Sequence, residues 1–559
     1  MFIKRTKQKE AEESCEHRGK GKHFLFHKTG FGYTTNGKWS NWIYNNNQTI
    51  RLQFTCQLFA CSSLARNMTV SDQSGAPGKQ NMSAILRSAG FWAGPVLFLL
   101  ILTGFHPEGL SQQGVAVVAV TIWIAIWWIT ESVPLPITSL LPIVLFPLLH
   151  VMDLSTTTSS YGHPLVFLYM GGFMLAIAIE KTGLHNRIAI NIIRSMGTKL
   201  HMIILGFMIS TGFLSMWISN TATAIMMLPI GLAIIKVASV TEDTSDDNFR
   251  KALMLAIAYA SSIGGVATLI GTPPNLVFAG VVREMYGTEI SFFQWFVVGF
   301  PLAVILLFIT WWYLTKVGFP LGNATLPGGK EEMDKRHAGL GTMSTGEKRV
   351  SIIFLTIAIA WIIRSFVLEK LIPGIDDTII AIIGAILLFL IPSGKKNNQG
   401  ILVWEDAVKL PWGIILLFGG GLALAESFES SGLAVWIGHR MTGLSVMGVF
   451  LLILFVVMIV NFLTEFTSNL ATVTMILPVL APIAVAAGIH PLMLMVAATM
   501  AASCGFMMPA GTPPNAIAFG SGYLKIWDMI RTGFVLNVVS IILITSLVYF
   551  LLGYLWNIA

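Results

Sequence analysis

Leu214-Ser215-Met216-Trp217-Ile218-Ser219-Asn220-Thr221-Ala222-Thr223, running on to Met226 and Leu228-Pro229, is written a second time. The copy is Leu463-Thr464-Glu465-Phe466-Thr467-Ser468-Asn469-Leu470-Ala471-Thr472, running on to Met475 and Leu477-Pro478. From Leu214 to Ile230, 8 of 17 positions are identical at an offset of 249 residues. A second pair follows in the same order, Gly271-Thr272-Pro273-Pro274-Asn275 and Gly511-Thr512-Pro513-Pro514-Asn515, offset by 240. Glycine admits left-handed backbone. Paired prolines cannot continue a helix but readily start one. Each half of the chain therefore carries two polar, helix-breaking stretches in strongly apolar surroundings.

Those surroundings set the class. The 559 residues are 54% hydrophobic and 11% charged, against roughly 25% charged in soluble domains. Apolar runs near the 20 residues of a spanning helix recur from residue 86 onward. The expected fold is an all-α polytopic membrane protein of about eleven transmembrane helices plus two re-entrant hairpins. The long runs 203–235 and 444–487, each with Ser-Asn near its middle, read as the hairpins. Runs 252–282 and 492–522 read as spanning helices broken at Gly-Thr-Pro-Pro-Asn. Broken backbone is tolerated at membrane depth only where it lines a cavity or packs in protein.

The formal charge of +7 belongs to the start of the chain. Residues 1–85 hold 12 Lys/Arg and 5 Asp/Glu, and the rest is balanced. No nucleic-acid surface is expected. Residues 1–85 are polar, with no secretory signal pattern. They read either as a basic, disordered extension or as a mis-called start, Met82 directly preceding the first apolar run. Three of the four cysteines lie there; Cys504 sits in an apolar run, and no disulfide or metal spacing is present. Residues 86–345 and 346–559 form the two repeats, divided in the polar loop 316–349.

Cytoplasmic loops of membrane proteins are enriched in Lys and Arg. With the amino terminus inside and the carboxy terminus outside, 18 Lys/Arg fall in inner loops and 4 (Arg283, Arg364, Lys370, Arg440) in outer ones. The first hairpin then opens to the cytoplasm and the second to the outside, an inverted-topology repeat of the kind secondary transporters use. Stretches 183–199 and 432–441 read as helices lying along the two interfaces. Glu131, after Trp127-Trp128, marks a helix end at an interface.

A half-helix that begins inside the membrane points unpaired N–H groups at its ligand, and carbonyls freed at the break suit sodium. Neither motif contains Lys or Arg. An anion bound there needs a compensating cation, because an unpaired charge in low dielectric is costly. Sodium-coupled anion transport follows from that argument. A membrane enzyme is disfavoured, since no His-Glu-x-x-His pair or Cys/His cluster is present; a channel would need no counter-ion. Glu465, where the first copy has Met216, is the unduplicated acid of the motif and reads as a structural partner for backbone within its hairpin.

Ser215–Thr221, Ile270–Asn275, Thr464–Asn469, Gly511–Ile517 and Thr130-Glu131-Ser132-Val133-Pro134-Leu135-Pro136 together resemble the divalent anion–sodium symporter family, across residues 86–559. The resemblance implies a homodimer in a plasma membrane, the bacterial inner membrane, with elevator-type scaffold and transport parts. It implies a first sodium site from Ser215, Ser219, Asn220 and the Gly271 carbonyl, and a second from carbonyls of Thr464, Thr467, Asn469 and Gly511. No cofactor other than these coupling ions is implied. A substrate would lie between Ser219-Asn220-Thr221, Thr272-Pro273, Ser468-Asn469 and Thr512-Pro513. The implied activity is sodium symport of a C4-dicarboxylate such as succinate, malate or fumarate, with citrate, sulfate or sodium-independent exchange as alternatives. Bacterial dicarboxylate carriers of the family read Ser-Asn-Thr in both hairpins; here Leu470 replaces the second threonine and also borders the expected substrate site.

Overall fold

The computed structural model describes residues 31–34, 38–45, 48–54, 77–238, 244–326, 328–394, 399–441 and 448–558, with side chains described from residue 87 onward except at 238 and 244–246. Lys395, Lys396 and most of residues 1–85 lie outside them. The chain divides into two units, Met1–Ala84 and Ile85–Ala559. In the first, three strands, β1 (Phe31–Thr34), β2 (Lys38–Asn45) and β3 (Gln48–Phe54), pair antiparallel in the order β1-β2-β3. Disorder was the expectation there. Trp42-Ile43-Tyr44 and Thr49-Ile50 supply the aromatic and β-branched residues that strands favour.

The second unit is helical. In the first half run α1 (Pro77–Gly104), α2 (Gln112–Thr130), α3 (Leu141–Leu148), α4 (Pro164–Thr182), α5 (Leu184–Ser195) and α6 (Leu200–Ser215). Then come α7 (Asn220–Ala238), α8 (Thr244–Val266), α9 (Pro273–Tyr286), α10 (Phe292–Trp312) and α11 (Gly329–Gly339). The second half holds α12 (Thr345–Ile363), α13 (Asp377–Leu390), α14 (Trp412–Ser430), α15 (Leu433–Arg440) and α16 (Val449–Leu463). It closes with α17 (Asn469–Ala486), α18 (Pro491–Ala502), α19 (Pro513–Gly520) and α20 (Ile526–Leu547). The succession α4 to α10 recurs as α14 to α20.

Among the described residues nine helices are long and apolar enough to cross a membrane. Seven coincide with expected spans; the other two are α7 and α17, which leave the Ser-Asn turns. Two further expected spans are the shorter apolar helices Leu135–Leu148 and Asp377–Leu390. The last two are the pairs α8/α9 and α18/α19, interrupted where the prolines stand.

Local chemistry explains the boundaries. Ser111 caps α2 by accepting the Gly114 N–H, and Ser344 and Glu347 form a reciprocal capping box on α12. Thr272 and Thr512 are extended, with φ −143° and −139°, and the following prolines start α9 and α19. Gly183 and Gly432, at φ 80° and 75°, turn the chain from α4 into α5 and from α14 into α15. That left-handed turn costs a residue with a Cβ more than it costs glycine. Glu131 ends α2 in the same conformation, at φ 48°.

Helices meet through small residues, as membrane helices do. A Cβ at Gly171 of α4 would press on the Ala381 backbone of α13, and one at Gly264 of α8 would overlap the Gly212 backbone of α6. The polar divider 316–349 is not a plain loop. It contains α11, with Glu331 and Glu332 in its first turn and Arg336 and His337 in its last, which suits the helix dipole. Arg187 of α5 bonds Glu347 at 2.8 Å and the carbonyls of Leu340, Gly341 and Thr342, while Arg194 pairs with Asp334 at 2.7 Å.

Candidate functional site

Each Ser-Asn turn is a short break between two helices, and a hydroxyl one turn earlier ties it down. Ser215 Oγ lies 2.8 Å from the Asn220 carboxamide and 2.6 Å from the Ser261 carbonyl, within hydrogen-bond reach of both, with one hydrogen to give. Thr464 Oγ1 lies 2.7 Å from the Asn469 carboxamide and 2.9 Å from the Ala502 carbonyl, again with one hydrogen between two neighbours. One side chain thus links the tip asparagine to the broken helix beside it, in both halves. Ser261 adds a bond in the first half only, from its Oγ to the Asn220 carbonyl at 2.5 Å.

The breaks are also built alike. Asn275 Nδ2 donates to the Gly265 carbonyl at 3.1 Å and the Thr268 carbonyl at 2.8 Å. Asn515 Nδ2 donates to the Gly505 carbonyl at 3.2 Å and the Met508 carbonyl at 3.1 Å. The same two carbonyls, Thr268 and Met508, accept the N–H groups of Gly271 and Gly511. Thr268 Oγ1 reaches back to the Met216 carbonyl at 2.5 Å.

In the second half the counterpart of Met216 is Glu465, 1% exposed. It accepts the N–H groups of Met507 and Met508, each at 2.9 Å, and Asn537 Nδ2 at 2.6 Å. Asn537 Oδ1 in turn accepts the Phe506 N–H at 3.2 Å. Glu465 was expected to bond backbone within its own hairpin. Its partners, however, lie on the neighbouring broken helix and on α20 rather than within its own hairpin. Its two oxygens thus take three hydrogen bonds.

Packing brings the halves together crosswise. The helix leaving the first tip, α7, packs on α19, and α17 packs on α9. Ser219, Asn220, Thr221, Pro273, Ser468 and Asn469 are half-buried and Pro513 is exposed. Thr272 and Thr512, each 3% exposed, are buried caps, Thr512 Oγ1 accepting the Asn515 N–H at 3.3 Å. Ser215, Gly271, Thr464, Thr467 and Gly511 are buried. Thr467 Oγ1 bonds the Leu463 carbonyl at 2.9 Å and Thr472 at 2.6 Å. Leu470, 7% exposed, packs in the apolar core. An apolar cavity of about 350 Å³ between α4 and α13 shares no residue with the motifs. No group of three or more His, Cys, Asp or Glu is placed to hold a metal among the described residues; the oxygens of this region are hydroxyls, amides, carbonyls and the Glu465 carboxylate.

The sequence reading missed Ser261, Thr268, Asn275, Asn515 and Asn537 as members of the site. Asn275 and Asn515 stood inside a quoted motif, and their matched spacing to Gly265 and Gly505 was the available signal.

Apolar helices interrupted in both halves, with the breaks packed on each other's tips, define a multi-pass membrane protein of transporter fold. Solved structures agree at the level of fold. MtrF of Neisseria gonorrhoeae, titled as illuminating a class of antimetabolite efflux pumps, is 12% identical, with a TM-score of 0.52 over 87% of this chain and 96% of that one. The YdaH transporter of Alcanivorax borkumensis is 15% identical, with a TM-score of 0.50 over 71% and 87%. The pattern described as the sodium:sulfate symporter transmembrane region matches residues 90–558. The chain therefore belongs to the sodium:sulfate symporter family, the divalent anion–sodium symporters. Among curated relatives, the sodium-dependent dicarboxylate transporter SdcS of Staphylococcus saprophyticus is 47% identical over 470 residues, covering 83% of this chain and 91% of that one. The protein of that name from Staphylococcus aureus is 48% identical over 471 residues, with the same coverage.

Proposed function

We propose that the protein is a sodium-coupled symporter that carries a C4-dicarboxylate into the cell. The observation that carries this reading is the pair of tip asparagines, each tied by a hydroxyl to a broken helix and each lacking a Lys or Arg in its motif. A dianion held by amide and hydroxyl donors then needs sodium for charge compensation. The substrate-contacting groups are Ser219, Asn220, Thr221, Pro273, Ser468, Asn469 and Pro513 at the partly exposed surface, with Thr272, Leu470 and Thr512 shaping the wall. The sodium ligands are Ser215, Ser219, Asn220 and Gly271 in one half, and Thr464, Thr467, Asn469 and Gly511 in the other. The reading includes inverted repeats over residues 86–345 and 346–559 and a homodimer with elevator-type movement. It places the protein in the bacterial inner membrane, amino terminus inside, and assigns residues 1–85 no role. The SdcS relatives, named as sodium-dependent dicarboxylate transporters, favour the dicarboxylate; the family's sulfate name makes sulfate the competing anion.

Reconstituted vesicles loaded with neither anion nor sodium test it. Labelled succinate uptake is expected with external sodium and not with external choline, and unlabelled succinate should compete better than citrate or sulfate. Equal uptake in the two salts would remove sodium coupling, and stronger competition by sulfate would reassign the substrate.

A further inference from the structure

The two asparagines that close Gly-Thr-Pro-Pro-Asn lie at the buried root of each break, both 0% exposed. They make the same two bonds. Each amide reaches the carbonyl ten residues back and the carbonyl seven residues back. Both hydrogens of Nδ2 are thereby spent, and the amide orientation is settled, because the reverse would set Oδ1 against two carbonyl oxygens. Oδ1 of each residue has no hydrogen-bond partner. Leaving a buried acceptor unmatched is costly, so what the residue contributes at this position is its donors.

The clamped carbonyls border the site. Gly271 lies over the Gly265 carbonyl, where a Cβ would come within 2.5 Å. The other side of Gly265 lies against the Asn220 carboxamide, which an added Cβ would overlap. In the second half an added Cβ on Gly505 would meet Thr464 Cγ2 at 3.2 Å, and Thr464 holds Asn469 Oδ1. The second clamped carbonyl also receives the N–H of Gly271 or Gly511. We propose that Asn275 and Asn515 are positioning residues for sodium binding. Each fixes the wall behind its tip asparagine and the peptide of the glycine whose carbonyl faces the ion. The link is direct in the first half, through Gly265 to Asn220, and passes through Thr464 in the second.

The inference rests on the sodium-coupled reading and has its own test. Purified full-length protein carrying Asn275→Asp or Asn515→Asp is titrated with sodium chloride against choline chloride, reading thermal stabilisation, since an ion that binds only the folded state stabilises it by mass action. Aspartate matches asparagine in shape but, ionised, donates no hydrogen bond. Each variant is expected to need about tenfold more sodium for half-maximal stabilisation at neutral pH. Acidification should recover part of that loss relative to wild type at the same pH, as the protonated carboxyl regains one donor. Succinate KM at saturating sodium should stay within about threefold of wild type. An unchanged half-saturation, or a lower one because the new charge merely attracts sodium, would overturn the proposal. Asn275→Ala and Asn515→Ala, which add no charge, give the same readout if the aspartate variants do not fold. A loss of folded protein without a shift in half-saturation would mean a purely structural role. Absence of sodium-dependent stabilisation in wild type would instead refute the transport reading.

Discussion

The two halves agree in how their helix breaks are tied together and differ where side chains brace the tips. Ser215 and Thr464 make equivalent bonds, as do Asn275 and Asn515. At the next positions the copies part. Trp217 stacks on Phe292 at 5.9 Å and meets Phe354 edge-on at 4.9 Å, whereas its counterpart Phe466 is 72% exposed. Met216 lends its carbonyl to Thr268, whereas Glu465 lends a carboxylate to two backbone N–H groups. The repeat has thus kept the geometry that presents oxygen and N–H groups, and each half has found its own way to hold that geometry in place.

The strongest test of the likeness removes the tip amides. Asn220→Ala and Asn469→Ala are each expected to lower sodium-driven succinate uptake by about a hundredfold or more, while the protein still purifies folded. Near-normal uptake in one of them would break the equivalence of the halves. A smaller effect exposes a difference. Gly265→Ala pushes on the Asn220 carboxamide, so uptake should fall about tenfold, while Gly505→Ala meets the Thr464 methyl at 3.2 Å and the Glu465 carboxyl at an ordinary 3.6 Å and should stay within about threefold. Equal losses would show that the two walls are equally tight.

The smallest effect concerns a tie between the halves. Lys181, at the end of α4, bonds Asp406 at 2.5 Å. Burial opposes the charge of Asp406. The Lys181 ammonium, the Val403 N–H and Lys409 outweigh that and hold its carboxyl below the usual range. A group depressed in the folded state stabilises above its unfolded value, near 3.8, and loses that stabilisation as pH falls through its folded value. Lys181 is a third exposed, so the contribution is below about 1 kcal/mol. Asp406→Asn should lower the unfolding midpoint slightly at pH 7, with the gap closing below about pH 4; a gap independent of pH would assign it to packing.

Much of this architecture was legible in the chain. Ser-Asn and Gly-Thr-Pro-Pro-Asn marked the breaks because proline and glycine act locally, and apolar runs marked the helices. The clamp by Asn275 was not legible, since it depends on where carbonyls point once the helix has opened. The partners of Glu465 were hidden for a similar reason, lying 42, 43 and 72 residues downstream. Helix α11 escaped notice because apolar runs were the guide, and its cue was the order of charges along Glu331, Glu332, Arg336 and His337. Leu470 drew attention as a substitution; its place in the core gives it a packing role beside the site.

Glu465 and Asn537 also constrain how such a chain can drift. Replacing Asn537 alone removes one of three donors from a buried carboxylate. Replacing Glu465 alone strands the amide together with the N–H groups of Met507 and Met508. A lineage stepping through single substitutions meets a barrier at either position. The two therefore change together or stay, and a second half with methionine at 465 is reachable only by a route that first finds new acceptors for that turn.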